Sequence, residues 1–298
     1  MSSRPIQGVI VPLVTPATAD GCLDEAAAER LVAHVAAGDC GLLVAGTTGE
    51  VASLPEATRR RYVEIAVRVA AGRVPVLACI AHNCFANAVA LGRAHLEAGA
   101  DAVVAMLPNF FKLEPAEMQA YFARLAAALP GPLYLYNMPA TTGMSVPIEV
   151  FQTLADTPNI VGMKDSETTP GRREAVANAL GGRSDFSLFM GSAAGSYAAL
   201  RLGFQGLVPS SGNLRPDWWR DLYAAALRGD WATVAALQKR TDDYAATYQT
   251  GRTLGQSLAS LKGALADRGL CSPHMFSPLT EAPADDRRIV RQRLSSLE

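Results

Sequence analysis

Eight short apolar runs recur along the chain, about 28 residues apart on average, and each precedes an Ala-rich amphipathic segment. Their residues are continuously apolar rather than alternating, which is typical of parallel strands buried on both faces. Strict alternation of strand and helix predicts a parallel sheet with right-handed crossovers. The runs begin near Gly8, Gly41, Pro75, Asp101, Pro132, Asn159, Asp185 and Gln205.

Helical patterns with start and stop signals lie between these runs. Asp24 can cap one helix, and Pro55 lies in the first turn of another, which ends at Gly72. Helices are predicted over residues 24–37, 55–71, 114–129, 147–155, 171–180 and 216–227. Eight units of this length predict a closed (β/α)8 TIM barrel, and the first strand lacks the GxGxxG loop of a dinucleotide-binding fold.

Beyond residue 229 the strand pattern stops, and only helical segments follow, over residues 231–248, 253–266 and from 283. About 70 residues are few for an independent domain. We therefore predict that residues 1–229 form the barrel with the active site. Residues 230–298 are predicted to form a C-terminal helical extension packed on it.

Charge and cysteine usage exclude several function classes. The 27 Lys and Arg nearly balance the 28 Asp and Glu, without a basic stripe, so nucleic-acid binding is not expected. No run approaches the roughly 20 apolar residues of a membrane span, and residues 1–5 lack the apolar core of a secretory signal. Five scattered cysteines without metal-ligand spacing indicate buried free thiols, no metal site and a cytoplasmic protein.

Three strand ends carry reactive residues, and in such a barrel the active site lies at these ends. The sixth run closes with Lys164, and Tyr136 closes the fifth, one strand–helix unit earlier. Burial favours the neutral amine of a lysine, which is the nucleophile that forms a Schiff base, and a nearby phenol can transfer protons. A lysine that only extends to solvent and a structural core tyrosine remain the alternatives.

The second strand ends in a glycine-bounded turn, Gly46-Thr47-Thr48-Gly49-Glu50. Its backbone N–H groups could hold a carboxylate, and the threonine hydroxyls could bind substrate or relay a proton. Gly46, Thr47 and Thr48 are therefore candidate substrate-binding residues, and Thr48 is also a catalytic candidate. A purely structural turn is the alternative, and for Glu50 a structural role is favoured. An amine, a phenol and a carboxylate cradle together suit a 2-oxo acid.

The chain resembles the dihydrodipicolinate synthase and N-acetylneuraminate lyase family of class I pyruvate aldolases. The similarity runs from about residue 6 to 280 and is carried by GTTGE, YNMP, VGMKD, residues 206–213 and the helix around Leu261. It implies a Schiff base of pyruvate on Lys164, proton transfer by Tyr136, and carboxylate binding by Thr47 and Thr48. It also implies a homotetramer or homodimer and neither a metal nor an organic cofactor.

Two departures from the family pattern concern the second substrate. Thr141 stands where dihydrodipicolinate synthases carry an arginine for the aldehyde's carboxylate, and Phe110 stands where they carry a tyrosine. A neutral hydroxyl should bind a carboxylate less well than a bidentate guanidinium does. Thr141 is a candidate substrate-binding residue. Gly191 and Ser211, after the seventh and eighth strands, are candidates for a polyol tail, with ordinary turn chemistry as the alternative.

Residues 139–143, Pro-Ala-Thr-Thr-Gly, resemble the corresponding stretch of 2-keto-3-deoxy sugar acid aldolases and related dehydratases. This resemblance implies a Schiff-base lyase that reversibly cleaves a 2-keto-3-deoxy sugar acid to pyruvate and an aldehyde. Three alternatives remain open at this point. The same imine could support a dehydratase, or the chain could be a true 4-hydroxy-tetrahydrodipicolinate synthase in which another cation replaces the arginine. A non-catalytic protein that binds 2-oxo acids is the third.

Overall fold

A closed barrel of eight parallel strands forms the centre of the protein. The computed structural model describes residues 5–298. The strands are β1 Gly8–Pro12, β2 Gly41–Val44, β3 Val76–Cys79, β4 Ala102–Met106, β5 Leu133–Asn137, β6 Ile160–Asp165, β7 Ser187–Met190 and β8 Gly206–Leu207. They pair in chain order, and β8 pairs with β1 to close the ring. The predicted TIM barrel is confirmed, and every strand begins within two residues of its predicted start.

Continuous apolar runs are explained by the two covered faces of each strand. In β2, Leu43 packs inside the barrel with Ile10 and Leu77, whereas Leu42 and Val44 pack outward in the larger cluster beneath the helices. Burying one such side chain contributes about 1.5–3 kcal/mol to stability. Neither strand face is left for polar chemistry, so reactive groups concentrate at the strand ends.

Helices cover the barrel and begin where the sequence signals indicate. Asp24 accepts a hydrogen bond from the Ala27 N–H at 3.0 Å, and Gly72 follows the second helix with a left-handed φ of +72°. The helices are α1 Glu25–Ala36, α2 Glu56–Ala70, α3 Phe85–Glu97, α4 Pro115–Ala128, α5 Pro139–Thr142, α6 Ile148–Leu154, α7 Arg172–Leu180, α8 Ser196–Arg201, α9 Pro216–Leu227, α10 Trp231–Gln249, α11 Leu254–Ala266 and α12 Ala284–Ser295. The predicted helix bounds agree with these to within one residue.

The sequence patterns give no bounds for α3, α5 and α8. At the start of α3, Cys84 makes no side-chain cap, and Gly92 interrupts the helical pattern. Gly92 is required by packing, because a Cβ there would lie 2.5 Å from Leu129 Cδ2. The helices α5 and α8 have only 4 and 6 residues, too few to show a periodic pattern.

Three helices follow the barrel, as predicted. The first, α10, packs against α8 and α9, while α11 contacts both α10 and α12. The division into residues 1–229 and 230–298 stays a prediction. No helix within residues 5–298 is long and apolar enough to cross a membrane, and that part of the chain contains no cluster of metal-ligating side chains.

The five cysteines are free thiols, but they are not all buried. Cys40, Cys79 and Cys271 lie in the interior, whereas Cys22 and Cys84 are exposed. The expectation that every thiol is buried was therefore wrong for two of them. Both exposed thiols lie in connecting segments, where an apolar residue in the sequence need not have a packing partner.

Candidate active site

Lys164 and Tyr136 lie side by side at the carboxyl ends of neighbouring strands. The register of β5 and β6 pairs Tyr136 directly with Lys164. Their exposed fractions are 2% for Tyr136 and 7% for Lys164, and the Lys164 Nζ is 3.9 Å from the centroid of the phenol ring. The spacing of one strand–helix unit thus brings an amine and a phenol into contact, as predicted.

The surroundings of Lys164 differ from those of the other buried lysine. Only Lys164 and Lys262 of the four lysines are buried. Lys262 Nζ lies 2.6 Å from a carboxylate oxygen of Glu50. Within residues 5–298, by contrast, no carboxylate forms an ion pair with Lys164. Lys164 is therefore buried without an ion-pair partner, whereas the Lys262 ammonium is held by Glu50.

Ser166 and Gly191 complete the immediate surroundings of the pair. The Ser166 hydroxyl donates a hydrogen bond to the Tyr136 hydroxyl at 3.3 Å. A Cβ on Gly191 would lie 2.0 Å from Ser166 Oγ and 2.9 Å from Lys164 Cε. Gly191 therefore lies against Lys164, and the close approach explains why this position holds glycine.

The turn after β2 is folded so that one threonine hydroxyl has no internal partner. The Glu50 N–H donates to the Thr47 carbonyl at 3.1 Å, and Thr15 Oγ1 donates to the Gly49 carbonyl at 2.7 Å. Thr47 Oγ1 is buried and makes no hydrogen bond within residues 5–298. A buried hydroxyl without a hydrogen-bond partner destabilises the folded protein, because it has given up its hydrogen bonds to water. This group is therefore available to a ligand. Thr48 is half-buried in the same turn, next to Gly49.

A cavity of about 540 Å³ opens beside this turn. Its lining includes Thr47, Thr141, His82, Asn109, Arg59 and Leu254, but neither Lys164 nor Tyr136. Arg59 supplies a guanidinium, but its Nη1 donates to the Ala81 carbonyl at 2.8 Å and its Nη2 donates to the Val51 carbonyl. Both terminal nitrogens are therefore engaged by backbone.

Of the predicted substrate-binding residues, Thr141 lies at the cavity and Ser211 does not. Thr141 lines the cavity, and its hydroxyl donates to the Met138 carbonyl at 3.2 Å. Ser211 is buried in the turn after β8, and its Oγ accepts a hydrogen bond from Trp219 Nε1 of α9 at 3.0 Å. The structure does not bring the Ser211 hydroxyl to Lys164 and Tyr136, because the 3-10 turn Ser210–Asn213 directs it toward helix α9.

A buried polar network lies behind the pair and was not anticipated from sequence. Asn137, next to Tyr136, donates to Asp165 at 3.0 Å and to Glu167 at 2.9 Å. Arg172 Nε donates to the second Asp165 oxygen at 2.9 Å. These contacts fix the ends of β5 and β6 on the side opposite Lys164. The sequence contains one indication of this network, since Asn137 directly follows Tyr136 and Asp165 directly follows Lys164.

Glu167 shows that this network is electrostatically balanced. Burial by itself would raise the pKa of its carboxyl group. Hydrogen bonds from Ser145, Asn137 and Thr169, together with the nearby Arg172, outweigh burial and hold the pKa below its ordinary value. Glu167 thus remains a carboxylate and a stable acceptor for Asn137.

Phe110 lies at the surface. This is the residue that stands where dihydrodipicolinate synthases are expected to carry a tyrosine. Its ring is 78% exposed, and it contacts the 73% exposed ring of Phe111 edge to face, with 5.0 Å between centroids. An exposed pair of aromatic rings is unusual on a monomer surface.

Known proteins are similar to this chain over almost its whole length. The model of the dihydrodipicolinate synthetase family matches residues 5–297. The chain belongs to this family. A 4-hydroxy-tetrahydrodipicolinate synthase of Halorhodospira halophila is 34% identical over 294 residues, covering 97% of this chain and 96% of the relative. Family members are class I pyruvate aldolases and lyases that form a lysine Schiff base, so the predicted enzyme class is confirmed.

Solved structures of the dihydrodipicolinate synthetase family superpose over almost the whole chain. The dihydrodipicolinate synthase of Bacteroides thetaiotaomicron has a TM-score of 0.93 at 33% identity and covers 99% of both chains. A prophage protein of E. coli K12 from the same family, solved in complex with pyruvate, has a TM-score of 0.92 at 27% identity and covers 98% of both. The fold and the family are thus shown along the full chain.

Proposed function

We propose that this enzyme reversibly cleaves a 2-keto-3-deoxy sugar acid into pyruvate and an aldehyde, through a Schiff base on Lys164. The observation that carries the proposal is the buried contact of Lys164 with Tyr136, 3.9 Å from amine to ring centroid, without a carboxylate partner for the amine. The unpartnered hydroxyl of Thr47 supports a role in binding the substrate carboxylate.

Imine formation uses the first part of this site. The amine of Lys164 attacks the C2 carbonyl, and the resulting carbinolamine loses water after its hydroxyl is protonated. We infer that Tyr136 supplies that proton, and its contact with Lys164 and the hydrogen bond that it accepts from Ser166 support this role. The turn around Thr47 and Thr48 holds the C1 carboxylate during these steps.

Cleavage then follows from the electron demand of the iminium. Tyr136, now deprotonated, removes the proton of the C4 hydroxyl, the C3–C4 bond breaks, and the aldehyde is released. The electron pair of that bond moves toward the iminium nitrogen and gives an enamine. Tyr136, which now carries the C4 hydroxyl proton, protonates the enamine at C3. Addition of water to the iminium then releases pyruvate, restores the amine of Lys164 and returns a proton to Tyr136. No cofactor is required, because the iminium itself accepts the electron pair.

The identity of the second product is inferred from the cavity lining. A carboxylate-bearing aldehyde requires a free cation, whereas a polyol needs neutral hydrogen-bonding groups. Thr141 and Asn109 are such groups. Both terminal nitrogens of the Arg59 guanidinium are engaged by carbonyls, and only its buried Nε has no partner within residues 5–298. A neutral polyol tail therefore fits the lining better than a second carboxylate.

The names of the relatives favour a second candidate, condensation of pyruvate with aspartate semialdehyde as in 4-hydroxy-tetrahydrodipicolinate synthase. Lys112 is an alternative cation near Thr141, since its Nζ donates to the Gly143 carbonyl at 3.0 Å, two residues after Thr141. Its side chain is exposed and bonded to backbone, which makes it a weak replacement for an arginine in the site.

A substrate panel with product analysis tests the proposal. Pyruvate release from 2-keto-3-deoxy sugar acids, with the matching aldehyde, is the expected result. Faster turnover of pyruvate with aspartate semialdehyde would establish the second candidate instead. A single deoxygenated 2-oxo acid as product would show a dehydratase, and binding without any product would contradict an enzymatic role.

We also propose a homo-oligomer, either a homodimer or a homotetramer, in the cytoplasm. The exposed rings of Phe110 and Phe111 support an interface with a second copy, and free thiols fit a reducing compartment. Light scattering should give a mass of two or four chains, and replacing both rings with serine should lower it. A monomer at micromolar concentration would contradict the proposal.

A further inference from the structure

A fully buried ion pair joins the turn after β2 to the C-terminal helices. Glu50 Oε1 lies 2.6 Å from Lys262 Nζ on α11, and the two side chains are 0% and 1% exposed. Lys262 also donates to the His274 carbonyl at 2.7 Å, and Glu50 Oε2 accepts the Phe276 N–H at 2.9 Å. Both oxygens of the Glu50 carboxylate are thus bound by the region that follows the barrel.

A buried ion pair of this kind contributes little net free energy to the stability of a fold. Removing two charges from water costs several kcal/mol per ion, and well-packed apolar side chains often serve stability equally well. Burial lowers the pKa of Lys262, and the charge of Glu50 opposes that shift. Glu50 also has a left-handed φ of 62°, which a non-glycine residue adopts at a cost.

The pair is connected directly to the candidate carboxylate-binding group. The N–H of Glu50 donates to the carbonyl of Thr47 at 3.1 Å, and Val51 donates to the carbonyl of Gly46 at 3.2 Å. The position of Glu50 therefore determines where the Thr47 peptide and hydroxyl lie. From the barrel side the same turn is held by Thr15, which donates to the Gly49 carbonyl, and by Arg59, which donates to the Val51 carbonyl.

We propose that Lys262 and Glu50 are positioning residues for binding of the 2-oxo acid, because their ion pair lets α11 hold the carboxylate-binding turn around Thr47 in place. This inference rests on the proposed function, in which Thr47 and Thr48 bind the pyruvate carboxylate. It gives the C-terminal helices a part in substrate affinity.

The test compares variants by the pyruvate concentration that gives half-maximal trapping with borohydride. The double variant Glu50→Gln/Lys262→Met removes both charges and keeps an acceptor for the Phe276 N–H. We expect this variant to fold and its half-saturating pyruvate concentration to rise by about tenfold or more. Its trapping rate at saturating pyruvate should stay within about threefold of wild type. Glu50→Asp, which keeps the charge but shortens the side chain, should raise the half-saturating concentration by a smaller factor.

Asp286→Asn provides the matched control. Asp286 of α12 pairs with Arg252 and accepts a hydrogen bond from Ser260 at 2.9 Å, so its loss perturbs the same helices without touching the turn. It should lower Tm and leave half-saturation unchanged. Wild-type half-saturation in both Glu50 variants, or an equal rise in Asp286→Asn, overturns the inference. A wild-type protein that forms no adduct overturns the proposed function as well.

Discussion

Replacing Gly191 with alanine should disable Lys164 through a steric effect alone. The backbone of Gly191 does not have a positive φ, so alanine is conformationally allowed there. Its Cβ, however, would lie 2.0 Å from Ser166 Oγ, 2.9 Å from Lys164 Cε and 3.1 Å from the Asp165 carbonyl. Ser166 can rotate away only by giving up its hydrogen bond to Tyr136.

The size of the effect follows from the displacement of Lys164. An ordinary contact begins at 3.4 Å, so the lysine chain must move by about 0.5 Å from the 2.9 Å position. Misplacing a reacting group by about 1 Å can cost roughly 100-fold in rate, and overpacking costs about 1–3 kcal/mol of stability. We expect the rate of borohydride trapping at saturating pyruvate to fall by about 10- to 100-fold.

Gly92→Ala is the control for this experiment. Its Cβ would lie 2.5 Å from Leu129 Cδ2, between α3 and α4 and away from the strand ends. Both variants should lower Tm by a similar amount, while only Gly191→Ala should slow trapping. Trapping at the wild-type rate in Gly191→Ala would refute the argument that the Cβ displaces Lys164.

Three further predictions concern stability and specificity. Burial lowers the pKa of His95 to about 4, so stability present above pH 6.5 is lost as the pH falls toward 4, by about 3 kcal/mol. Chemical denaturation should show a smaller loss in His95→Leu, and equal losses would contradict this. Thr141→Arg should raise kcat/KM for aspartate semialdehyde about tenfold and lower that for a neutral sugar acid; unchanged ratios would count against the assigned cavity. Asn137→Leu should cost about 2–4 kcal/mol and slow trapping, because Asp165 and the Val146 N–H lose a partner; a wild-type Tm would exclude this role.

The strands and the reactive pair were predictable because their signals are local or periodic. A strand buried on both faces must be apolar throughout, which marks β2 or β4 without further information. One strand–helix unit separates Tyr136 from Lys164, and neighbouring parallel strands place such residues at the same end of the barrel. The glycine-bounded turn at Thr47 is likewise visible in the sequence.

Other parts of the site depend on orientation or on distant partners. Ser211 lies at a strand end, but a 3-10 turn directs its hydroxyl to Trp219. Lys262 is separated from Glu50 by more than 200 residues, and an α-helical lysine gives no sign that it will be buried. Arg59 shows the same limit, since it is next to exposed Arg60 yet faces inward to two carbonyls.

Peptide mapping after treatment with pyruvate and borohydride tests the central claim most directly. The account predicts one reduced pyruvate adduct per chain, on the peptide that contains Lys164, and none on Lys262, which is also buried but is paired with Glu50. Lys164→Ala should abolish the adduct, and Tyr136→Phe should slow its formation while leaving its site unchanged. An adduct on Lys262 or an unmodified protein would contradict the assignment of Lys164 as the nucleophile.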